Sequence, residues 1–236
     1  NDGGSWITPY RNVQTALDAA TSGDEIWVAQ GTYYPDEGAG QSPNDRNSTF
    51  TLKAGVKLLG GFLGVSGAII PRDAELFPTI LSGDIDQNDT TVPVGANSFH
   101  VVTGANNAFL DGFIIQNGFA DGTGPNENGG GIYNDATGLI VMNCIIRDNN
   151  AIHGGGMYDN GTTSRIEEVK FISNNANLGG AAYNDNAFIT YVNCQFLSNA
   201  APQGGAIYNT GTDPNSFTNC IISGNLASQE GGGIYN

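Results

Sequence analysis

The sequence is poor in the residues that usually carry catalysis or tight electrostatic binding. Its 236 residues include only 8 lysines and arginines, two histidines and three cysteines, against 23 aspartates and glutamates, for a net charge of −15. Neutralising nucleic-acid phosphates takes clustered cationic side chains, and the few present are scattered, so nucleic acid is not an expected partner. The same repulsion disfavours an anionic membrane surface. No apolar run reaches the roughly 20 residues that span a bilayer, so no membrane insertion is expected in this segment. Cys144, Cys194 and Cys220 form no CxxC pair, and His100 and His153 are too few to complete a metal set with them. The cysteines read as small buried hydrophobes with free thiols. The chain begins without Met or a signal sequence, as a processed or excised segment would.

Hydrophobic residues reach 39% and charged residues only 13%, with 35 glycines. Disorder brings more charge and fewer aromatic and β-branched residues, so the composition indicates an ordered, turn-rich all-β protein. A repeat organises it. The hexapeptide GG[GA][IMA]Y[ND] starts at Gly129, Gly154, Gly179, Gly204 and Gly231, in steps of 25, 25, 25 and 27 residues. A second element keeps the same frame: NCIIRDN from Asn143, EVKFISN from Glu168, NCQFLSN from Asn193 and NCIISGN from Asn219. A period near 25 is too short for two packed helices and a turn, and the segments lack helical spacing. Short alternating runs separated by Asn and Gly are strands with bends. The expected fold is a right-handed, single-stranded parallel β-helix, a solenoid with three short strands per coil of about 25 residues and coils stacked at about 4.8 Å.

In such a stack like residues form columns. Cys144, Val169, Cys194 and Cys220 make one, and Ile146, Phe171, Phe196 and Ile222 another, both facing inward by the period-2 rule. Asn149, Asn174, Asn199 and Asn225 make a third, which Asn117 would extend, at a bend whose left-handed backbone Asn tolerates. The segment 110–117 resembles the NCIIRDN element, with Gly112 in the cysteine column. Earlier strands are expected at 25–29, 50–52, 56–59, 79–81 and 99–103, separated by long polar loops at 34–48 and 84–97. Residues 12–20 carry the i, i+3, i+4, i+7 stripe of a short helix that would cap the open end of the stack. The expected organisation is a cap over 1–24 and a β-helix over 25–236, continued by further repeats or by another molecule.

The segment NVQTALDAATSGDEIWVAQGTYYP, from Asn12 to Pro35, resembles the opening of pectate-lyase-like right-handed β-helix proteins. FTLKAGVKLLGGF from Phe50 and TILSGDI from Thr79 resemble large bacterial surface proteins of that superfamily, and the GG[GA][IMA]Y coils are similar to the repeats of polymorphic outer-membrane proteins. The resemblance implies fold more than activity, since this fold hosts lyases, hydrolases, adhesins and inert stalks. For a lyase it would imply an aspartate-bound Ca²⁺ beside a basic residue; for a polygalacturonase-like hydrolase, grouped aspartates with Gly-His-Gly and Arg-x-Lys. Neither tripeptide is present.

Three sets of residues remain as candidates. Asp135, Asp159 and Asp185 follow the tyrosine column; Asp135 and Asp185 would lie two rungs apart, about 10 Å, just beyond the roughly 6.5–9.5 Å of an inverting carboxylate pair. Asp84, Asp86, Asn88 and Asp89 alternate oxygens as a Ca²⁺ loop begins, without the Gly and Glu of an EF-hand. No cofactor is expected, the alternative being Ca²⁺ at this loop. Tyr133, Tyr158, Tyr183, Tyr208 and Tyr235 form an outward strip, either stacked for stability or open to sugar rings or a partner. Three N-x-T/S sequons, at Asn47, Asn88 and Asn160, would count only in a host that glycosylates them. The expected function is a non-enzymatic extracellular or cell-surface structural or adhesive module, associating end to end or with surface glycans. The alternatives are a polysaccharide lyase or hydrolase and a glycan-binding module.

Overall fold

A computed structural model describes residues 2–38, 40–66, 70–89, 95–212 and 215–236. Residues 90–94, which belong to the second long loop and complete the sequon at Asn88, lie outside the described residues. The chain is a parallel β-helix. One coil runs through four strands, Leu139–Met142, Ile145–Arg147, Asn150–His153 and Met157–Asn160. Stacked coils build four sheets of seven, seven, five and seven strands, in which each strand pairs in parallel with the strand one coil away. The fourth strand per coil corrects the expected three. The segment after the Asn column, which carries no apolar run in the sequence, is itself a short strand.

The bends explain the repeated motif. The first turns on a single left-handed residue, Asn143, Glu168, Asn193 or Asn219, at φ 50–55°. The second turns on Asp148, Ser173 and Ser198, at φ 54–55°. The Asn column is therefore not the left-handed position; the residue before it is. The third bend is the Gly pair. Gly154 and Gly179 have φ of 64° and 66°. At the following Gly155 and Gly180 a Cβ would stand 2.4 Å from a carbonyl oxygen of the next coil, so only Gly lets the rungs approach.

Each buried Asn amide ties three rungs. Asn174 Nδ2 donates back to Ile146 O at 2.8 Å and forward to Asn199 Oδ1 at 3.0 Å, and its Oδ1 accepts from Asn149 N and Nδ2 at 3.2 and 3.0 Å. Asn199 repeats the pattern with Phe171 O and Asn225. Buried polar groups must find partners, and here the neighbouring coil supplies them. Inside, Cys144, Val169 and Cys194 and then Ile146, Phe171 and Phe196 are buried in their expected columns. Phe171 and Phe196 stack at 5.0 Å.

The register one coil earlier differs from the sequence reading. Ile114 pairs with Ile145 and Ile115 with Ile146, a step of 31 residues. Gly112 thus falls beside Asn143 rather than in the cysteine column, and Asn117 falls beside Asp148. Gly118 takes the Asn149 position, donating its N–H to Asn149 Oδ1 at 2.9 Å. The reason is parity: a one-residue slip exchanges the faces of a strand, and this register buries Phe113 and Ile115.

The helix forms at Val13–Ala19 and buries Val13 and Leu17. Both join the core cluster with Val28 and Phe50, so the helix covers the solenoid interior at this end. Strands at Glu25–Ala29, Phe50–Thr51, Lys57–Phe62, Thr79–Ser82 and Val102–Thr103 lie where expected to within a few residues. The five-stranded sheet begins only at Phe119–Ala120. In the two coils before it, the described residues of the long loops 34–48 and 84–97 occupy that side.

Candidate functional site

The tyrosine column is a continuous aromatic stack. Tyr133–Tyr158, Tyr158–Tyr183, Tyr183–Tyr208 and Tyr208–Tyr235 have ring centroids 5.8, 5.3, 5.1 and 4.7 Å apart, with planes within 25° of parallel. Strand pairing in register imposes this: Tyr158 lies opposite Tyr133 on one side and Tyr183 on the other. The neighbouring Ile132, Met157, Ala182 and Ile207 point into the core. The ring faces are therefore turned toward one another, on the side of the strand opposite the core. Tyr158 is only 7% exposed. Its hydroxyl donates to Asp185 Oδ2 at 2.7 Å. Burial raises the phenol pKa of Tyr158, and the Asp185 carboxylate adds to the effect. Tyr183 is pushed up to about 12, again by burial first.

Two histidines extend the stack, and nothing in the repeat marks them. His100 lies 5.0 Å from the Tyr133 ring, and His153 leans on Tyr183 at 5.2 Å. Burial lowers the pKa of His100, whose Nδ1 sits 3.2 Å from Gly129 O.

The three candidate aspartates do not share a site. Asp135 is exposed. Asp185 Oδ1 accepts from Thr210 Oγ1 and Asn186 Nδ2 at 2.7 and 2.9 Å, in addition to the Tyr158 bond. Asp159 pairs instead with Asn134 and Asn184, on the opposite face of the strand, and is fully buried. It belongs to a second interior polar column, Asn134, Asp159, Asn184 and Asn209, that the sequence reading missed although Asn or Asp follows each of these tyrosines. Asn184 Nδ2 donates to Asn209 Oδ1 at 2.8 Å, and Asn134 Nδ2 to Asp159 Oδ1 at 2.6 Å. Asp159 has no amide with which to continue the chain, and Asn184 Oδ1 takes the Tyr191 hydroxyl at 3.0 Å. Thr162 and Ser164 also donate to Asp159 Oδ1, whereas its Oδ2 is buried without a partner. Burial drives the Asp159 pKa up against those three hydrogen bonds.

In the acidic loop, Asp84 accepts the backbone N–H of Asn88 and Asp89 at 3.0 and 3.2 Å, one on each oxygen. Asp89 Oδ2 accepts from Asn97 Nδ2 at 2.7 Å, and Asn88 Nδ2 donates to Asp86 Oδ2 at 2.8 Å. Asp86 Oδ1 is buried with no donor. Among the described residues, no three His, Cys, Asp or Glu side chains converge as a metal set. Cys144, Cys194 and Cys220 are free thiols, and burial pushes Cys144 and Cys194 up to about 12, which makes them inert. No helix among the described residues is long and apolar enough to cross a membrane.

The profile of the Chlamydia polymorphic membrane protein repeat matches residues 193–210 and 219–236. Each matched segment opens at the left-handed Asn before a cysteine of the inward column, buried at Cys194 and partly buried at Cys220, and closes just after the stacked tyrosine. No curated protein matches the chain. A crystal structure from Parabacteroides merdae, described as a candidate glycosyl hydrolase, aligns with 89% of this chain and 88% of its own at 12% identity. Its TM-score of 0.35 is too low for the likeness to bear on fold or chemistry.

Proposed function

We propose that this chain is a non-enzymatic, extracellular β-helix segment of a cell-surface protein, serving as a rigid structural or adhesive stalk. The observation that carries it is that the repeated polar and aromatic groups are bonded to their own copies one coil away. The Asn amides bridge rungs, the Tyr rings cover one another's faces, and Asp185 is held by Tyr158 and Thr210. Catalytic carboxylates and sugar-binding aromatics need unengaged oxygens or ring faces. Surface association draws support from the matched repeat, which is named for a membrane protein.

Incubated with acidic and neutral polysaccharides, the chain is expected to release neither unsaturated uronate ends nor new reducing ends; either product would overturn the reading. A Tyr158→Ala, Tyr183→Ala double variant is expected to unfold at lower urea concentration while its retention on a glycan panel stays unchanged. Glycan retention lost at unaltered stability would instead make the strip a binding site.

A further inference from the structure

The described residues of the loops 34–48 and 84–97 belong to successive coils and lie on the same side of the solenoid. Arg46 fastens them to the coil beyond, donating to Asn97 O, Phe119 O and the Asp121 carboxylate. Between them is a cleft whose lining includes Asn12, Asp36, Glu37, Asn44, Asp86 and Gln87. Asp36, Glu37 and Asp86 are the acidic residues in that lining, and no Lys or Arg belongs to it.

Two of those carboxylates are half satisfied. Asp36 is 8% exposed. Its Oδ2 accepts Asn44 N–H at 2.9 Å, and its Oδ1 is buried with no hydrogen-bond partner. Asp86 Oδ2 accepts Asn88 Nδ2 and Ala96 N–H, both at 2.8 Å, and its Oδ1 is again buried and unpartnered. A buried carboxylate oxygen without a donor is costly. Proteins resolve this with a basic partner or a metal. No Lys or Arg lines this cleft to supply the basic partner.

We propose that Asp36 and Asp86 are the anionic ligands of a Ca²⁺ site that joins the two loops. Amide oxygens of Asn12, Asn44 and Gln87, with water, are the neutral oxygens at hand to complete its shell. Ca²⁺ accepts six to eight oxygens in irregular geometry, whereas Mg²⁺ demands a near-ideal octahedron. Asp84 does not bind the ion; by holding the N–H groups of Asn88 and Asp89 it shapes the turn that presents Asp86. With two carboxylates the site belongs to the weak class of extracellular modules, with Kd on the order of 10⁻⁴–10⁻³ M.

Calorimetric titration of the chelator-treated 236-residue chain with CaCl₂ is expected to show one equivalent bound in that range. Asp36→Asn and Asp86→Asn should each weaken binding about tenfold or more, and Asp135→Asn, on the exposed outer turn, should leave it unchanged. Without Ca²⁺, the unfolding midpoint of Asp36→Asn should equal or exceed that of the parent, because a buried carboxylate lacking a donor is removed; lost binding then cannot be ascribed to misfolding. In the parent chain, Ca²⁺ should also protect both loops from proteolytic nicking. No binding at about 10 mM free ion, undiminished binding by both variants, or equal weakening by Asp135→Asn would each overturn the site.

Discussion

From Ile132 onward each coil is fastened to the next by side chains that recur every coil; before it, by side chains that occur once. In the regular coils, Asn149, Asn174 and Asn199 repeat one hydrogen-bond pattern, and the tyrosines from Tyr133 to Tyr235 repeat one ring contact. In the earlier coils, Arg72 reaches from a connecting loop to Gly60 O and grips both oxygens of Asp111, at 3.0 and 2.7 Å, and Arg46 does similar work between the long loops. A regular column satisfies any buried polar group automatically, because the next coil presents the matching atom. An irregular coil has no such partner and needs a long, many-donor side chain such as Arg. The difference also locates chemistry. Orphaned oxygens at Asp36 and Asp86 lie in the irregular loops, while the regular coils leave one at Asp159, where an Asp replaces the Asn of its column.

The largest expected effect tests the recurring fastening. Asn174→Ala removes the acceptor of Asn149 and the donor to Ile146 O and Asn199, all buried. Urea unfolding should show a loss of about 3–4 kcal/mol, as several buried groups lose partners at once. A loss below about 1 kcal/mol, the net value of an ordinary hydrogen bond, would mean that the column is not what holds the coils.

Next is the single-use fastening. Arg72→Ala strands Asp111, whose side chain is 8% exposed, with Asn143 Nδ2 as its remaining partner. The expected loss is about 2–3 kcal/mol, below that of a fully buried pair because Arg72 itself is 28% exposed. Amide exchange should quicken in the first coils and stay unchanged beyond Ile132. Uniform quickening would abolish the distinction between the two regions.

The smallest effect is a gain. Unfolded, Asp159 ionises near its ordinary value; folded, burial makes it hold its proton to higher pH. Between those values the unfolded chain binds fewer protons than the folded one, so stability falls as pH rises and levels off above the folded pKa. Asp159→Asn removes that dependence and restores an amide able to donate to Asn184. It should add about 1–2 kcal/mol at neutral pH, and the gain should shrink when unfolding is measured at pH below the ordinary carboxylate range. A gain independent of pH would place its origin elsewhere.

Much of this was legible in advance. The inward columns of Cys144 and Ile146 and the stacked tyrosines follow from a period near 25 combined with strand alternation. The coil before the repeat was not, because a loop of altered length hides whether the step is 31 or 32, and a single residue exchanges the faces of a strand. Only burial of Phe113 and Ile115 decides it. The fourth strand escaped notice because Asn150 to His153 has no apolar alternation; backbone pairing with the coils on either side makes it a strand. Of the candidate site residues, the tyrosines were placed by their own spacing. Asp159 lies close after its tyrosine, as Asp135 and Asp185 do after theirs, but alternation alone puts it on the other face.

The amino-acid order thus determined the solenoid, its pitch and the direction of its repeated side chains, since periodicity is a property of the chain and needs no partner to express it. The folded molecule alone decided which polar atoms are satisfied and which are not. Asp36 and Asp86 stand 50 residues apart in the chain and share a cleft only because successive coils place their loops on one side. Contacts between singular residues depend on how many residues each loop inserts between coils, and no spacing rule encodes that.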